Sequence, residues 1–396
     1  MQTEFRQIRP DELEECLDLW GNVFERVGRD YFIPYFYGDP WFKRVYTRVC
    51  SVDGKLVSAV QICERNVCVG DAEIVMGGIG NVGTYPEFRG RGYSSRLMED
   101  TVRVMRKHGM DISVLFTGIQ PFYESAGWCS VPQRILKAEI TPELPDCAET
   151  RYSVRECNWA VDLAAISAIY DIFNKGRPLT TIRTPEYWSG YALPHFGKPE
   201  HTLVAEIEGK PVGYLFFGYD RPNCWLKEIG YLPGHEACAQ VLTRGALSRA
   251  WEADIPTVRV NLPQEPEILD GTEQFVESIE AREPMGMMCR VINMHSLGER
   301  ILPELERRAQ ENQAPPGSIS LETELGNLNL RIEKGRVSLG AEDPVRIRIS
   351  QSDFFCLLFG IKGVEELGLG MPGEVERILS ALFPQQHPVF WLVDHF

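Results

Sequence analysis

Short apolar runs and alternations fill the first third of the chain, and their spacing predicts a sheet with a few amphipathic helices. Residues 5–9 read as a strand. Residues 11–26 read as a helix, with Asp11 near its N-cap and Leu13, Cys16, Leu17, Trp20 and Phe24 on one face. Residues 43–52 and 56–64 read as two strands joined by Asp53-Gly54-Lys55, a hairpin signal. Residues 67–76 read as a further strand whose apolar part, 72–76, is followed by glycines. The helix predicted at 95–108 places Leu97, Thr101, Val104 and Met105 on one face, and Gly109 ends it. Ile112, Val114 and Phe116 alternate as a strand, and residues 120–126 form a short helix.

Pro142 and Pro145 mark a break, and a second unit begins near Arg151. It repeats the first in outline: a strand at 152–155, a helix at 160–173, a hairpin at 201–207 and 211–219, a strand at 225–230, a helix at 236–252 and a strand at 257–262. The pattern changes again around Glu283-Pro284-Met285-Gly286. A helix at 297–310, alternating strands at 319–323, 328–332, 337–339 and 345–349, and helices at 352–359 and 373–383 follow. The tail, 388–396, is too apolar to remain in solvent and is expected to dock. The chain therefore divides into units 1–145, 146–284 and 285–396, of mixed α/β (α+β) class.

Composition narrows the partners. A net charge of -15 argues against nucleic acid and anionic membrane, both of which need a basic face. It suits a cationic small molecule or an amine. The N-terminus has no signal-peptide core, and no stretch approaches the roughly 18 apolar residues of a membrane span. Eleven cysteines without CxxC pairs read as reduced thiols in a cytoplasm, and no metal is expected. The aromatic stretch 31–42 either lines an acceptor pocket, with Glu25, Asp30 or Asp39 meeting a cation, or packs over a sheet edge.

The chemistry gathers at residues 81–94. A strand opens into a turn and then a helix N-terminus carrying Arg89, Gly90, Arg91 and Gly92. Unpaired N–H groups and the helix dipole attract a polyanion there, and glycine admits close approach of phosphate oxygens. Gly78-Ile79-Gly80-Asn81-Val82-Gly83 matches GxGxxG formally. Its third glycine, however, leads into Thr84-Tyr85-Pro86 rather than a helix, and Arg103 stands where a ribose-binding acid is needed.

Arg89-Gly90-Arg91-Gly92-Tyr93-Ser94, preceded by Val82-Gly83-Thr84-Tyr85-Pro86, resembles the acetyl-CoA pyrophosphate loop of the GNAT superfamily of N-acetyltransferases, R-x-x-G-x-G/A after a strand ending V-x-P. Ser94 departs from glycine or alanine but is still small. Phe122-Tyr123-Glu124-Ser125-Ala126-Gly127-Trp128 is similar to the superfamily's F-Y-x-x-x-G-[FW] segment. The three-unit layout resembles the Eis-like (enhanced intracellular survival) acetyltransferases: a catalytic GNAT unit, a degenerate GNAT-like unit without the phosphate seat, and a sterol carrier protein-like domain.

The resemblance implies acetyl-CoA as co-substrate, held by Val82, Gly83, Thr84, Arg89, Gly90, Arg91, Gly92, Tyr93 and Ser94. It makes Tyr123 the general acid for the departing thiolate. It brings the C-terminal carboxylate of Phe396 into the active site, as base or as anchor of the amine, with Asp394 and His395 as substitutes. The implied acceptor is a small-molecule or peptide amine, such as an aminoglycoside, polyamine or lysine side chain, and the implied assembly a homo-oligomer, a hexamer of two trimers. Two other readings stand beside it: a non-catalytic acyl-CoA or lipid-binding protein, and an acyltransferase for longer acyl chains.

Overall fold

The computed structural model describes residues 2–147, 151–284, 286–340 and 342–396. Met285, at the expected start of the third unit, lies outside them. The chain opens with β1 (Thr3–Gln7), α1 (Leu13–Val23), α2 (Ile33–Tyr37), β2 (Thr47–Val52), β3 (Lys55–Val69) and β4 (Ala72–Thr84). It continues through α3 (Tyr93–Lys107), β5 (Ile112–Phe116), α4 (Gln120–Glu124), β6 (Cys129–Ser130) and β7 (Arg134–Ile140). Next come β8 (Ser153–Glu156), α5 (Trp159–Phe173), α6 (Pro185–Tyr187), α7 (Leu193–Phe196), β9 (Thr202–Ile207) and β10 (Lys210–Asp220). Then follow β11 (Asn223–Tyr231), α8 (Cys238–Glu252), β12 (Thr257–Val260), α9 (Pro266–Glu273) and β13 (Val276–Pro284). The last stretch holds β14 (Met287–Val291), α10 (Met294–Glu311), β15 (Gly317–Thr323), β16 (Gly326–Glu333), β17 (Arg336–Leu339), β18 (Val345–Arg348), α11 (Gln351–Leu358) and α12 (Gly373–Leu382).

The described residues form three sheets, ordered β1-β2-β3-β4-β5-β14-β6, β13-β7-β12-β11-β10-β9-β8 and β17-β16-β15-β18. The first two are mixed, and they exchange strands. β14 pairs antiparallel with β5 and β6 in the first sheet, although it follows the whole second unit. β7 crosses the other way and lies between β12 and β13. Divisions at 145/146 and 284/285 thus cut the chain without separating the sheets.

The strand expected at 67–76 is two strands. β3 ends at Val69, and Gly70, at φ +61°, turns the chain into β4. Apolar residues on both sides hide this tight turn from a periodicity reading. β4 also continues through the glycines to Thr84, where the sequence suggested an end near Met76. These glycines are packing residues: a Cβ at Gly77 would overlap the Met105 sulfur, and one at Gly78 would overlap the Phe396 ring.

One face of the first sheet buries Leu97, Met98 and Met105 of α3 with Tyr123, Trp128 and Met288. On the other face Val67, Ile74, Met76 and Val114 share a core with Leu297, Ile301, Phe354 and Phe390 of the third unit. A further core joins Trp20, Phe32 and Tyr35 to Tyr187, Trp188, Tyr191 and Tyr214 of the second unit. The eleven cysteines are free thiols. Among the described residues no helix is long and apolar enough to cross a membrane.

Candidate active site

β4 and β5 run parallel and pair only where Met76, Gly77 and Gly78 meet Ile112, Ser113 and Val114. Beyond Gly78, β4 continues on β3 alone, so the two strands form a fork. The Ser113 hydroxyl donates to the Gly77 carbonyl at 2.7 Å and accepts the Trp128 indole N–H at 3.2 Å, which pins the base of the fork. Within the fork a bulge interrupts the β3–β4 ladder: Gln61 faces Gly80 and Ala59 faces Gly83. Asn81 sits in the bulge at φ +55°, a conformation asparagine tolerates better than most residues. The bulge turns Val82 toward the α3 face and Gly83 toward Trp20 and Leu19. On its fork side β4 offers ladder groups beyond Gly78 that a bound amide chain can satisfy.

The strand ends at the helix N-terminus. Hydroxyls of Ser58, Thr84 and Ser94 form a chain with 2.7 Å links, tying the end of β4 to the first turn of α3. The helix starts at Tyr93, earlier than the expected residue 95, because Gly92 at φ +75° serves as N-cap. Gly90, at φ +73°, and Gly92 have open space where a side chain would point, so their backbone is accessible to an anion. Arg89 braces the turn by donating from Nε to the Thr84 carbonyl at 3.1 Å. Arg91 lies over the Phe88 ring at 5.2 Å. No acidic residue occupies the first turn, so the helix dipole faces the opening unopposed.

Of the cofactor residues expected from sequence, the structure brings Thr84 and residues 89–94 together at this opening. Val82 lies against the α3 face. Gly83 is packed against α1, and a Cβ there would stand 3.1 Å from Trp20.

Tyr123 is on the α3 face of the fork, 8% exposed, with no hydrogen-bond partner for its hydroxyl among the described residues. Burial pushes its pKa up to about 12. The Cys63 and Cys129 thiols are also raised by burial, each to about 12.

The tail occupies the opposite face. The Phe396 ring covers Gly78, and its carboxyl carbon stands 3.0 Å from where a Gly80 Cβ would lie. His395 stacks on Phe116 at 3.8 Å with 15° between planes, and Tyr191 donates to its carbonyl at 2.8 Å. Burial lowers the His395 pKa to about 3, so the ring is neutral and a weak base. Asp394 is fully buried and bound to Arg183 at 2.9 Å. Asp394 is thus engaged in an ion pair, and the neutral His395 ring is a poor proton acceptor.

The aromatic stretch is mainly packing: Phe32, Tyr35 and Phe36 are buried, with Trp20 among them. Asp39 is not open to a cation, because Arg65 holds it at 2.8 Å in a site where both are buried. Three features escaped the sequence reading: the Asn81 bulge, the Ser113–Trp128 pin and the Asp394–Arg183 pair. An asparagine between glycines was the one available signal for the bulge. The other two depend on contacts distant in sequence.

Residues 4–131 match the family model of the acetyltransferase (GNAT) domain. An uncharacterized N-acetyltransferase of Methanocaldococcus jannaschii is 25% identical over 134 residues, 31% of this chain and 59% of that protein. Solved structures of similar fold cover the whole chain. A conserved protein of unknown function from Enterococcus faecalis V583 superposes with a TM-score of 0.76 at 19% identity, each chain covered fully. A GCN5-related N-acetyltransferase from Anabaena variabilis gives 0.74 at 16%, again over both whole chains. Eis1 from Mycobacterium abscessus gives 0.64 at 12% with the same coverage. At these identities the likeness is one of fold.

Proposed function

We propose that this protein is an acetyl-CoA-dependent N-acetyltransferase acting by direct transfer to an amine. The observation that carries the reading is the β4–β5 fork, with an anion seat at its mouth, Tyr123 on one face and the chain end on the other. The cofactor's pyrophosphate rests on the Gly90–Gly92 backbone and the α3 N-terminus, beside Arg89 and Arg91. Its pantetheine pairs with β4 inside the fork. The amine enters from the tail face, its nitrogen attacks the thioester carbonyl carbon, and the C–S bond breaks as the C–N bond forms. β4 backbone N–H groups stabilise the oxyanion. Tyr123 gives its proton to the sulfur, the proton lost by the amine leaves through water on the tail face, and solvent returns a proton to the phenolate.

The Phe396 carboxylate serves as base through water or as anchor of the cationic acceptor. The net charge of -15 favours polycations such as aminoglycosides, polyamines or lysine side chains. We read residues 1–145 as the catalytic unit and the sterol carrier-like third unit as a scaffold for the tail. Phe354, Phe355, Leu358, Leu379 and Leu382 are fully buried in the core that the third unit shares with the first sheet. A turnover screen of acetyl-CoA against these amines, reading free thiol, tests the proposal. Acetyl-CoA-dependent acetylation of an amine is expected. Tight acetyl-CoA binding without thiol release for any acceptor would turn the reading to a non-catalytic acyl-CoA-binding protein.

A further inference from the structure

The second sheet repeats the fork. β11 and β12 run parallel and pair from Asn223 with Thr257 to Leu226 with Val260. A bulge follows in β11, where Phe217 faces Leu226 and Phe216 faces Glu228, leaving Lys227 between them. This is the counterpart of the Asn81 bulge. The second unit has no two-glycine turn at its helix N-terminus, and its fork is occupied by the protein's own tail. Asn261, just beyond β12, donates from its side chain to the Phe390 carbonyl at 3.1 Å. Val389 N–H donates to the Pro178 carbonyl at 3.2 Å, and the Trp391 indole donates to Asn174 Oδ1 at 3.0 Å. The 3₁₀ turn Leu392–Asp394 packs against β11.

At the end of this path lies a buried ionic lock. Arg183 donates from Nε and Nη2 to the two Asp394 oxygens, each at 2.9 Å. It also donates from Nη1 and Nη2 to the two Glu228 oxygens at 2.9 and 2.5 Å. Tyr187 adds a bond to Asp394 at 3.1 Å and Tyr214 one to Glu228 at 2.8 Å. The Arg183, Glu228 and Asp394 side chains are all 0% exposed. Two carboxylates meet one guanidinium here, and burial raises the Glu228 pKa. A pair with a single carboxylate would be cheaper to desolvate, so stability alone does not account for the second. What the second carboxylate does is hold the tail. From Asp394 the chain end is two residues away, a reach of roughly 7 Å at full extension, and Tyr191 fixes His395 on the way.

We infer that the second GNAT-like unit is a receptor for the C-terminal tail, and that Asp394, held by Arg183, is the positioning residue that sets the Phe396 carboxylate in the first unit's fork. The consequence for catalysis rests on the acetyltransferase reading; the anchoring of the tail does not.

Asp394→Asn tests it, because the substitution leaves Arg183 balanced by Glu228 and keeps the core volume. Carboxypeptidase treatment of the native protein should release Phe396 about 10-fold faster in the variant, since cleavage tracks the population of the opened tail. Activity with the amine, as kcat/KM, should fall about 10- to 100-fold, as for other small displacements of a working group, while KM for acetyl-CoA stays unchanged. In a background lacking Phe396, Asp394→Asn should add nothing further. Unchanged carboxypeptidase release, or an activity loss that persists undiminished without Phe396, would overturn the inference. If Asp394→Asn does not fold, Tyr187→Phe removes a single bond to Asp394 and should move release in the same direction; no change would overturn the inference equally. If the wild-type protein turns over no amine, the acetyltransferase reading fails and carboxypeptidase release alone decides the anchoring.

Discussion

Tyr123 acquires its proposed role from its surroundings. A phenol with an ordinary pKa near 10 would start to ionise within the working range of many enzymes, whereas burial moves this one to about 12. The acid form is the protonated one, so the limb reporting its loss lies near pH 12. Between pH 7 and 10 the kcat profile should show no fall attributable to Tyr123. Tyr123→Phe should lower kcat by about 10²- to 10⁴-fold, the usual contribution of a positioned general acid, with KM for acetyl-CoA retained. Stopped-time thiol assays across that pH range decide it; unchanged kcat in the phenylalanine variant removes the tyrosine from the mechanism. Gly78 offers a complementary test at the tail face, since a Cβ there overlaps the Phe396 ring. Gly78→Ala should cost about 1–3 kcal/mol through overpacking and depress turnover while calorimetry still finds acetyl-CoA binding. Full activity would show that the ring can leave its place without consequence.

The fork is the element on which the reading turns, and its parts were unequally legible. The turn at residues 89–94 and the helix after it are contiguous, so local chemistry is enough: glycines at positive φ, arginines, and a helix N-terminus without an acid. The helix expected at 160–173 likewise forms as Trp159–Phe173, because periodicity and the Asn158 cap act within one segment. The hairpin at Gly70 is marked only by Gly70-Asp71, a two-residue turn signal set in a run of apolar residues from Val67 to Met76 that otherwise reads as continuous. Gly83, expected to meet the cofactor through its backbone, also admits the Trp20 ring, a contact between distant residues that leaves no local mark. Asp394 and Arg183, 211 residues apart, carry no local mark at all. For the legible part a solution test is direct. Arg89→Ala and Arg91→Ala should each raise KM for acetyl-CoA about 2- to 10-fold at low salt, and the difference should shrink as salt rises, because both side chains are exposed and screened. A salt-independent effect would point to lost bracing of the turn rather than to phosphate contact.

At the scale of the whole molecule, the exchange of β7 and β14 makes the first two sheets depend on one another. The first sheet is complete only when Met287–Val291 lies between β5 and β6, and that strand is made after the entire second unit. The second needs Arg134–Ile140 between β12 and β13. A fragment of residues 1–145 therefore exposes the unpaired edge of β5 together with the apolar face that Leu297 and Ile301 cover in the full chain. An edge of that kind recruits other strands, so the fragment should be insoluble or aggregated, whereas a fragment of a self-sufficient unit would be monomeric with a cooperative melt. Conversely the full chain should unfold without a separable first-unit transition, since neither sheet keeps its strands once the other opens. Calorimetry of the intact protein and light scattering of the fragment measure both. A soluble, cooperatively melting 1–145 fragment would mean that β14 is dispensable, and the tail that β14's unit delivers to the fork would then be an attachment to a finished catalytic unit rather than part of its construction.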